Sequence, residues 1–134
     1  MVDTLASLFP HVAETAGITV RVAVSYLADQ SSPAAGRWFW SYHIRLENGR
    51  DEAVQLLGRY WMIHDARGHV HEVRGAGVLG DTPRIAPGES YDYVSGCPLD
   101  TPTGSMAGQY HMVGDSGATF DVAIPRFALL GPAD

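Results

Sequence analysis

From Ile18 onward, apolar and polar residues alternate. Ile18, Val20, Val22, Val24 and Tyr26 interleave with Thr19, Arg21, Ala23 and Ser25, the period-two pattern of a strand with one buried face. After a polar loop from Gln30 to Gly36, Trp38, Trp40, Tyr42, Ile44 and Leu46 repeat the pattern up to the Asn48-Gly49 turn signal. Val54 to His64 is apolar on both parities, as expected of a central strand covered on both faces. Asp65-Ala66-Arg67-Gly68 reads as a turn and His69 to Arg74 as a short strand; Pro83, Pro87 and Gly88 then exclude a helix. Tyr91 to Ser95, Ser105 to Val113 and Thr119 to Arg126 add three strands, the last two joined at Gly114-Asp115-Ser116-Gly117. About seven strands with closely spaced turns predict an all-β fold, an immunoglobulin/fibronectin type III-like antiparallel two-sheet sandwich with Trp61 in its core. Residues 1–17 are expected to be an N-terminal extension, a short helix or loose tail. Leu5, Leu8, Phe9 and Val12 stand there at helical spacing behind a cap at Asp3, and Pro10 interrupts the pattern; the sandwich domain is expected over 18–130.

Composition narrows the functional classes. The chain has 134 residues, enough for one core without disulfide or metal. Fifteen acidic residues against nine basic ones give a net charge of −6, the wrong sign for a general nucleic-acid or anionic-membrane binder. All the bases are Arg, which favours bidentate anion contacts wherever a site exists. Cys97, the single cysteine, has no internal disulfide partner and fits a reducing compartment, and places the fold nearer the fibronectin variant. No apolar stretch approaches the ~20 residues of a membrane span, and Met1 to Gly17 lacks the basic start of a signal peptide. A cytoplasmic protein without membrane insertion is expected.

An ordered series of motifs then carries a resemblance. Val54-Gln55-Leu56-Leu57-Gly58-Arg59-Tyr60-Trp61, Gly75-Ala76-Gly77-Val78-Leu79-Gly80, Ile85-Ala86-Pro87-Gly88-Glu89, Thr101-Pro102-Thr103-Gly104-Ser105-Met106 and Gly108-Gln109-Tyr110 resemble the bacterial ApaG family from about Ile18 to Leu129. The resemblance implies a fibronectin-type sandwich and an association with cobalt and magnesium homeostasis in bacteria. It also implies a domain that recurs in eukaryotic F-box and polymerase-delta-interacting proteins, where it looks like a protein-interaction module. No established catalytic activity comes with it.

Gly75-x-Gly77-x-x-Gly80 has the spacing of the dinucleotide fingerprint, which has raised the expectation of pyrophosphate binding in the family. That chemistry needs a helix N-terminus directly after the first glycine turn, and prolines follow instead. A loop crossing between sheets, with glycines at positive φ, is the simpler reading. Consecutive amides there would still form an anion nest, with Arg59, Arg74 and Arg84 as candidates beside Gly75, Gly77 and Gly80. Residues 59–84 hold four Arg against Asp65, Glu72 and Asp81, net +1, whereas residues 85–121 hold five acids and no Arg, net −5.

His69 and His71 share a strand face, with His64 across the hairpin, but no ligand set at recognisable spacing completes a metal site, so neither metal nor cofactor is expected. Cys97 has no local histidine to activate it, Ser95-Gly96 is not a nucleophile elbow, and Asp51-Glu52 lies in a turn; a non-enzyme is expected. Trp38, Trp40 and Tyr42 read as core, while Phe39 with neighbours such as Tyr60 would offer a partner surface if exposed together. The function expected is a non-enzymatic protein-binding module, with homo-oligomerisation left open. The alternative is a weak binder of pyrophosphate-containing nucleotides or other anions at Gly75 to Gly80.

Overall fold

A computed structural model describes residues 4–132; the cap expected at Asp3 lies outside them. A five-residue helix, α1 (Thr4–Leu8), precedes nine strands: β1 (His11–Thr15), β2 (Ile18–Tyr26), β3 (Trp38–Asn48), β4 (Val54–Asp65), β5 (Val70–Ala76), β6 (Arg84–Ile85), β7 (Ser90–Leu99), β8 (Thr103–Gly114) and β9 (Thr119–Leu130). One sheet runs β1-β2-β3-β7 and the other β5-β4-β8-β9, with β6 pairing β4 beside β5. All pairings are antiparallel, and the two sheets form the expected sandwich. The seven strands read from the sequence are β2, β3, β4, β5, β7, β8 and β9.

Residues 4–17, ahead of the first strand read from the sequence, pack and pair with the sandwich. Phe9, which donates its amide to Leu5 O, is buried with its ring edge-on to His43 on the outer face of β3. Beyond Pro10, His11 to Thr15 pairs along β2. The tight turn between them is Ala16-Gly17, both at positive φ, the geometry of a two-residue hairpin. Alanine is an unusual occupant of such a position, which is why the hairpin carries no clear sequence signal.

The core lies between the sheets. Ile18, Val20, Val22, Trp40, Ile44 and Leu46 face Leu56, Tyr110, Met112, Val122, Phe127 and Leu129 across it, all fully buried. Trp40 Nε1 donates to Leu130 O across the sandwich.

The apolar double parity of β4 has a structural cause. Its register against β8 shifts between Leu56 and Gly58, a bulge that places one extra residue in the strand and reverses which parity faces inward. Before the bulge, Val54 and Leu56 are buried; after it, Trp61 and Asp65 are. Arg59, two residues ahead of Trp61, is thereby turned inward as well.

The two flanks of the sandwich differ. On one, β1 and β2 pack against β9, and the Ala123 amide donates to Thr15 Oγ1. On the other, the edge strands β5 and β7 stand apart and leave the inner faces open between them.

Candidate functional site

The open flank forms a cleft of about 620 Å³, within the size range of ligand pockets. β4 supplies Arg59, Trp61 and Ile63; β5 supplies His71 and Val73; β7 supplies Ser95, Cys97 and Leu99. Alternation places each of these inward, since Trp61 pairs with Val73 and Ile63 with His71 across β4 and β5. Trp61 forms the floor, 3% exposed, with its ring edge-on to Tyr42 at 5.3 Å and to Phe127 at 6.1 Å. A smaller cavity of about 140 Å³ adjoins it, sharing Tyr42, Arg59, Trp61 and Ser95 and ending on Leu79 and Gly80.

Arg59 stands where the two cavities meet. Its Nη1 donates to Ala76 O at 3.1 Å and to Gly77 O at 2.9 Å. Gly75, paired with Arg59 across the strands, leaves the room this needs: a Cβ there would lie 2.7 Å from Nη1. The glycine loop is a tight turn closed by Val78 N to Asp81 O at 2.8 Å and Asp81 N to Val78 O at 2.9 Å, with Leu79 and Gly80 both at positive φ. Gly77 also has positive φ, while Gly75 lies in β5. The Gly77 amide donates to Leu57 O. The amides of Gly77, Val78 and Asp81 are therefore engaged, and the loop turns two carbonyls toward the cleft edge, the opposite polarity from a phosphate cradle.

Of the arginines singled out with this loop, only Arg59 lines the cleft. Arg74 lies on the outer face, over the Tyr60 ring at 4.3 Å and 3.9 Å from Glu72. Arg84, on β6, is 2.7 Å from Asp115. Arg21 and Arg45 share Glu47, Arg45 also reaches Asp92, Arg50 meets Glu52 and Arg67 meets Asp100. Among the described residues, Arg37, Arg59 and Arg126 have no carboxylate within ion-pair distance, and two of these three, Arg37 and Arg59, line the cleft. Among the described residues, Asp100 is the only acid on the lining, and it pairs with Arg67 at 3.3 Å.

Burial governs the titrating groups nearby. It raises the Tyr42 hydroxyl, partly offset by hydrogen bonding with Ser95, and holds Tyr93 and Tyr110, whose hydroxyls bond each other, well above the ordinary tyrosine range. Burial also pushes the Cys97 thiol up to about 11, which disfavours the thiolate a nucleophile requires.

The three histidines separate. His64 pairs with Val70 and shares its outward face, whereas His71 pairs with Ile63 and faces in. His69 and His71 instead approach the buried Asp65 carboxylate, with His69 Nδ1 3.4 Å and His71 Nε2 3.7 Å from Oδ2. Asp65 Oδ1 accepts the Arg67 and His69 amides and shapes the β4–β5 turn. Burial pushes the Asp65 carboxyl up, but these amides and the two imidazoles outweigh it and hold it below its ordinary value. No set of three or more His, Cys, Asp or Glu arranged to hold a metal ion occurs among the described residues. Phe39 and Tyr60 form no common surface: Phe39 packs on Gly96 outside one sheet, and Tyr60 donates to Glu72 outside the other. No helix among the described residues is long and apolar enough to cross a membrane.

These features define an antiparallel β-sandwich of immunoglobulin and fibronectin type III form, open along one flank. Known proteins place it further. A family model described as the ApaG domain matches residues 28–114. Protein ApaG of Mesorhizobium japonicum is 54% identical over 117 residues, covering 87% of this chain and 90% of that protein. The chain belongs to the ApaG family. The crystal structure of the putative ApaA protein from Bordetella pertussis, 41% identical, superposes with a TM-score of 0.84 over 93% of this chain and 100% of that one. The C-terminal domain of wzt, at 10% identity and a TM-score of 0.54 over 100% of this chain and 87% of that chain, shares the fold alone.

Proposed function

We propose that this chain is a non-enzymatic, cytoplasmic protein-binding module whose partner enters the cleft between β5 and β7, and that it acts in cobalt and magnesium homeostasis as the family resemblance implies. The observation that carries the reading is the cleft itself: floored by Trp61, walled by apolar side chains such as Ile63, Val73, Leu99 and Met106, and flanked by two edge strands. The raised Cys97 thiol favours binding over nucleophilic chemistry. The pyrophosphate alternative requires amides where the glycine loop offers carbonyls, and it draws on Arg74 and Arg84, which are paired elsewhere.

A photo-crosslinking amino acid placed at Val73, on the cleft wall, and separately at exposed Ala118 tests this in living cells. A discrete adduct with one protein is expected from Val73 alone, and it should disappear when Ser95→Trp fills the cleft. No adduct at Val73, or the same adduct from both positions, would overturn the reading. A deletion strain under cobalt stress tests the physiological setting: the wild-type gene should restore growth and the Ser95→Trp gene should not.

A further inference from the structure

We infer that Arg59 makes this cleft a carboxylate receptor, and that the occupant is an extended acidic segment of the partner, with an Asp or Glu side chain on the Arg59 guanidinium and an adjacent apolar side chain on the Trp61 floor. The inference rests on the protein-binding reading and specifies its ligand.

Three features converge on Arg59. The bulge after Leu56 turns its side chain inward, Gly75 gives the guanidinium room, and the Ala76 and Gly77 carbonyls fix Nη1. Among the described residues, the Nε and Nη2 donors make no hydrogen bond and no carboxylate lies within ion-pair distance of the guanidinium. In a chain of net charge −6, most of whose other arginines are paired with acids, Arg37, Arg59 and Arg126 are without one among the described residues, and the first two share this cleft. A guanidinium held on one side by carbonyls presents its remaining edge as a planar fork, which matches a carboxylate in shape and charge. Partial exclusion of water strengthens that contact relative to a surface pair.

The rest of the cleft suits a small polyanion poorly: a pyrophosphate would face Trp61, Cys97, Leu99 and Met106, and the Gly77, Val78 and Asp81 amides of the glycine loop are already engaged. A cavity of about 620 Å³ instead accommodates side chains of a polypeptide. The unpaired edges of β5 and β7 offer backbone hydrogen bonds to an extended chain laid along either.

The test presents the full chain with a library of end-capped, randomised hexapeptides, followed by calorimetry on a synthesised consensus peptide. Wild type is expected to enrich peptides with Asp or Glu next to a large aliphatic or aromatic residue and to bind the consensus at micromolar Kd. Replacing the peptide acid by its amide, or Arg59→Gln in the protein, should weaken binding at least tenfold. Arg59→Lys should restore part of it, and Arg84→Gln should leave it unchanged. If Arg59→Gln does not fold, the amide peptide against wild type still decides. No enrichment, a consensus without an acid, or an unchanged Kd for the amide peptide would each overturn the carboxylate assignment. So would saturable shifts of Gly75 to Gly80 with inorganic pyrophosphate. An acid-free consensus that binds in the cleft would leave the protein-binding reading standing, whereas failure of the Val73 adduct would remove that reading itself.

Discussion

Gly77 and Gly80 both have positive φ, +58° and +79°, yet their surroundings differ. A Cβ on Gly80 meets nothing within 4 Å, whereas one on Gly77 would overlap the Asp81 carbonyl oxygen. Alanine in the left-handed region costs about 1–2 kcal/mol. Loss of conformational freedom in the unfolded chain returns roughly 0.4–1 kcal/mol of that. Gly80→Ala should therefore cost only about 0.5–1 kcal/mol. Gly77→Ala carries the same strain and must also push Asp81 away, opening the two hydrogen bonds between Val78 and Asp81. At about 1 kcal/mol each, these bring the expected loss to about 2–3 kcal/mol. For a chain of this size that lowers Tm by roughly 10 °C, against about 3 °C for Gly80→Ala. Urea unfolding followed by circular dichroism, with an unchanged m value, reads both variants directly. Equal losses within about 0.5 kcal/mol would show that Gly77 is chosen for its backbone angle alone and that the contact argument is wrong.

Trp61→Ala should cost about 3 kcal/mol, the low end for a buried tryptophan, because the hole opens onto the cleft and water enters it; a melting temperature within 3 °C of wild type would refute this. Cys97 should resist a disulfide reagent at pH 8 and react fully in guanidinium, since the thiol is 2% exposed and raised to about 11; rapid labelling of the native protein would contradict that burial. Tyr93 and Tyr110 bind their protons more tightly folded than unfolded, so their contribution is complete below pH 10 and declines above it, by up to about 1.4 kcal/mol per pH unit each until the folded groups titrate. Phenolate absorbance should accordingly show two tyrosines ionising only as the fold is lost. At the acid end Asp65 acts in the opposite sense, with its stabilisation present above its ordinary value near 3.8 and lost as pH falls further. Replacing it by Asn should flatten that part of the stability profile.

The strand pattern was legible because burial on one face writes a period of two directly into β2, β3 and β9. The hairpin ahead of β2 was not, because its turn sets Ala16 at positive φ and its strand has few apolar residues. The cleft was legible only in part. Arg59 and the three glycines stand out by residue type and spacing, but their relation depends on the bulge, whose single trace is the change from Val54 and Leu56 to Trp61 and Ile63 as the inward set. Arg74 and Arg84 resemble Arg59 in sequence and differ in which face the register gives them. Ser95 and Cys97 carried no signal, since an open flank is a property of how two edge strands are spaced and leaves no mark on either one. Asp65 was readable as a turn residue, while its burial beneath two imidazoles follows from the hairpin that brings His69 and His71 back over it.

The bulge also decides how the binding face can change. One extra residue between Leu56 and Gly58 exchanges the two sides of everything downstream in β4. Closing it by deleting a single residue would send Arg59, Trp61 and Ile63 to the outside and bring Tyr60, Met62 and His64 in, without altering any of their side chains. The chemistry of this cleft is thus encoded in a count of residues as much as in their kinds: substitution can retune it one group at a time, but a one-residue deletion exchanges the whole lining at once.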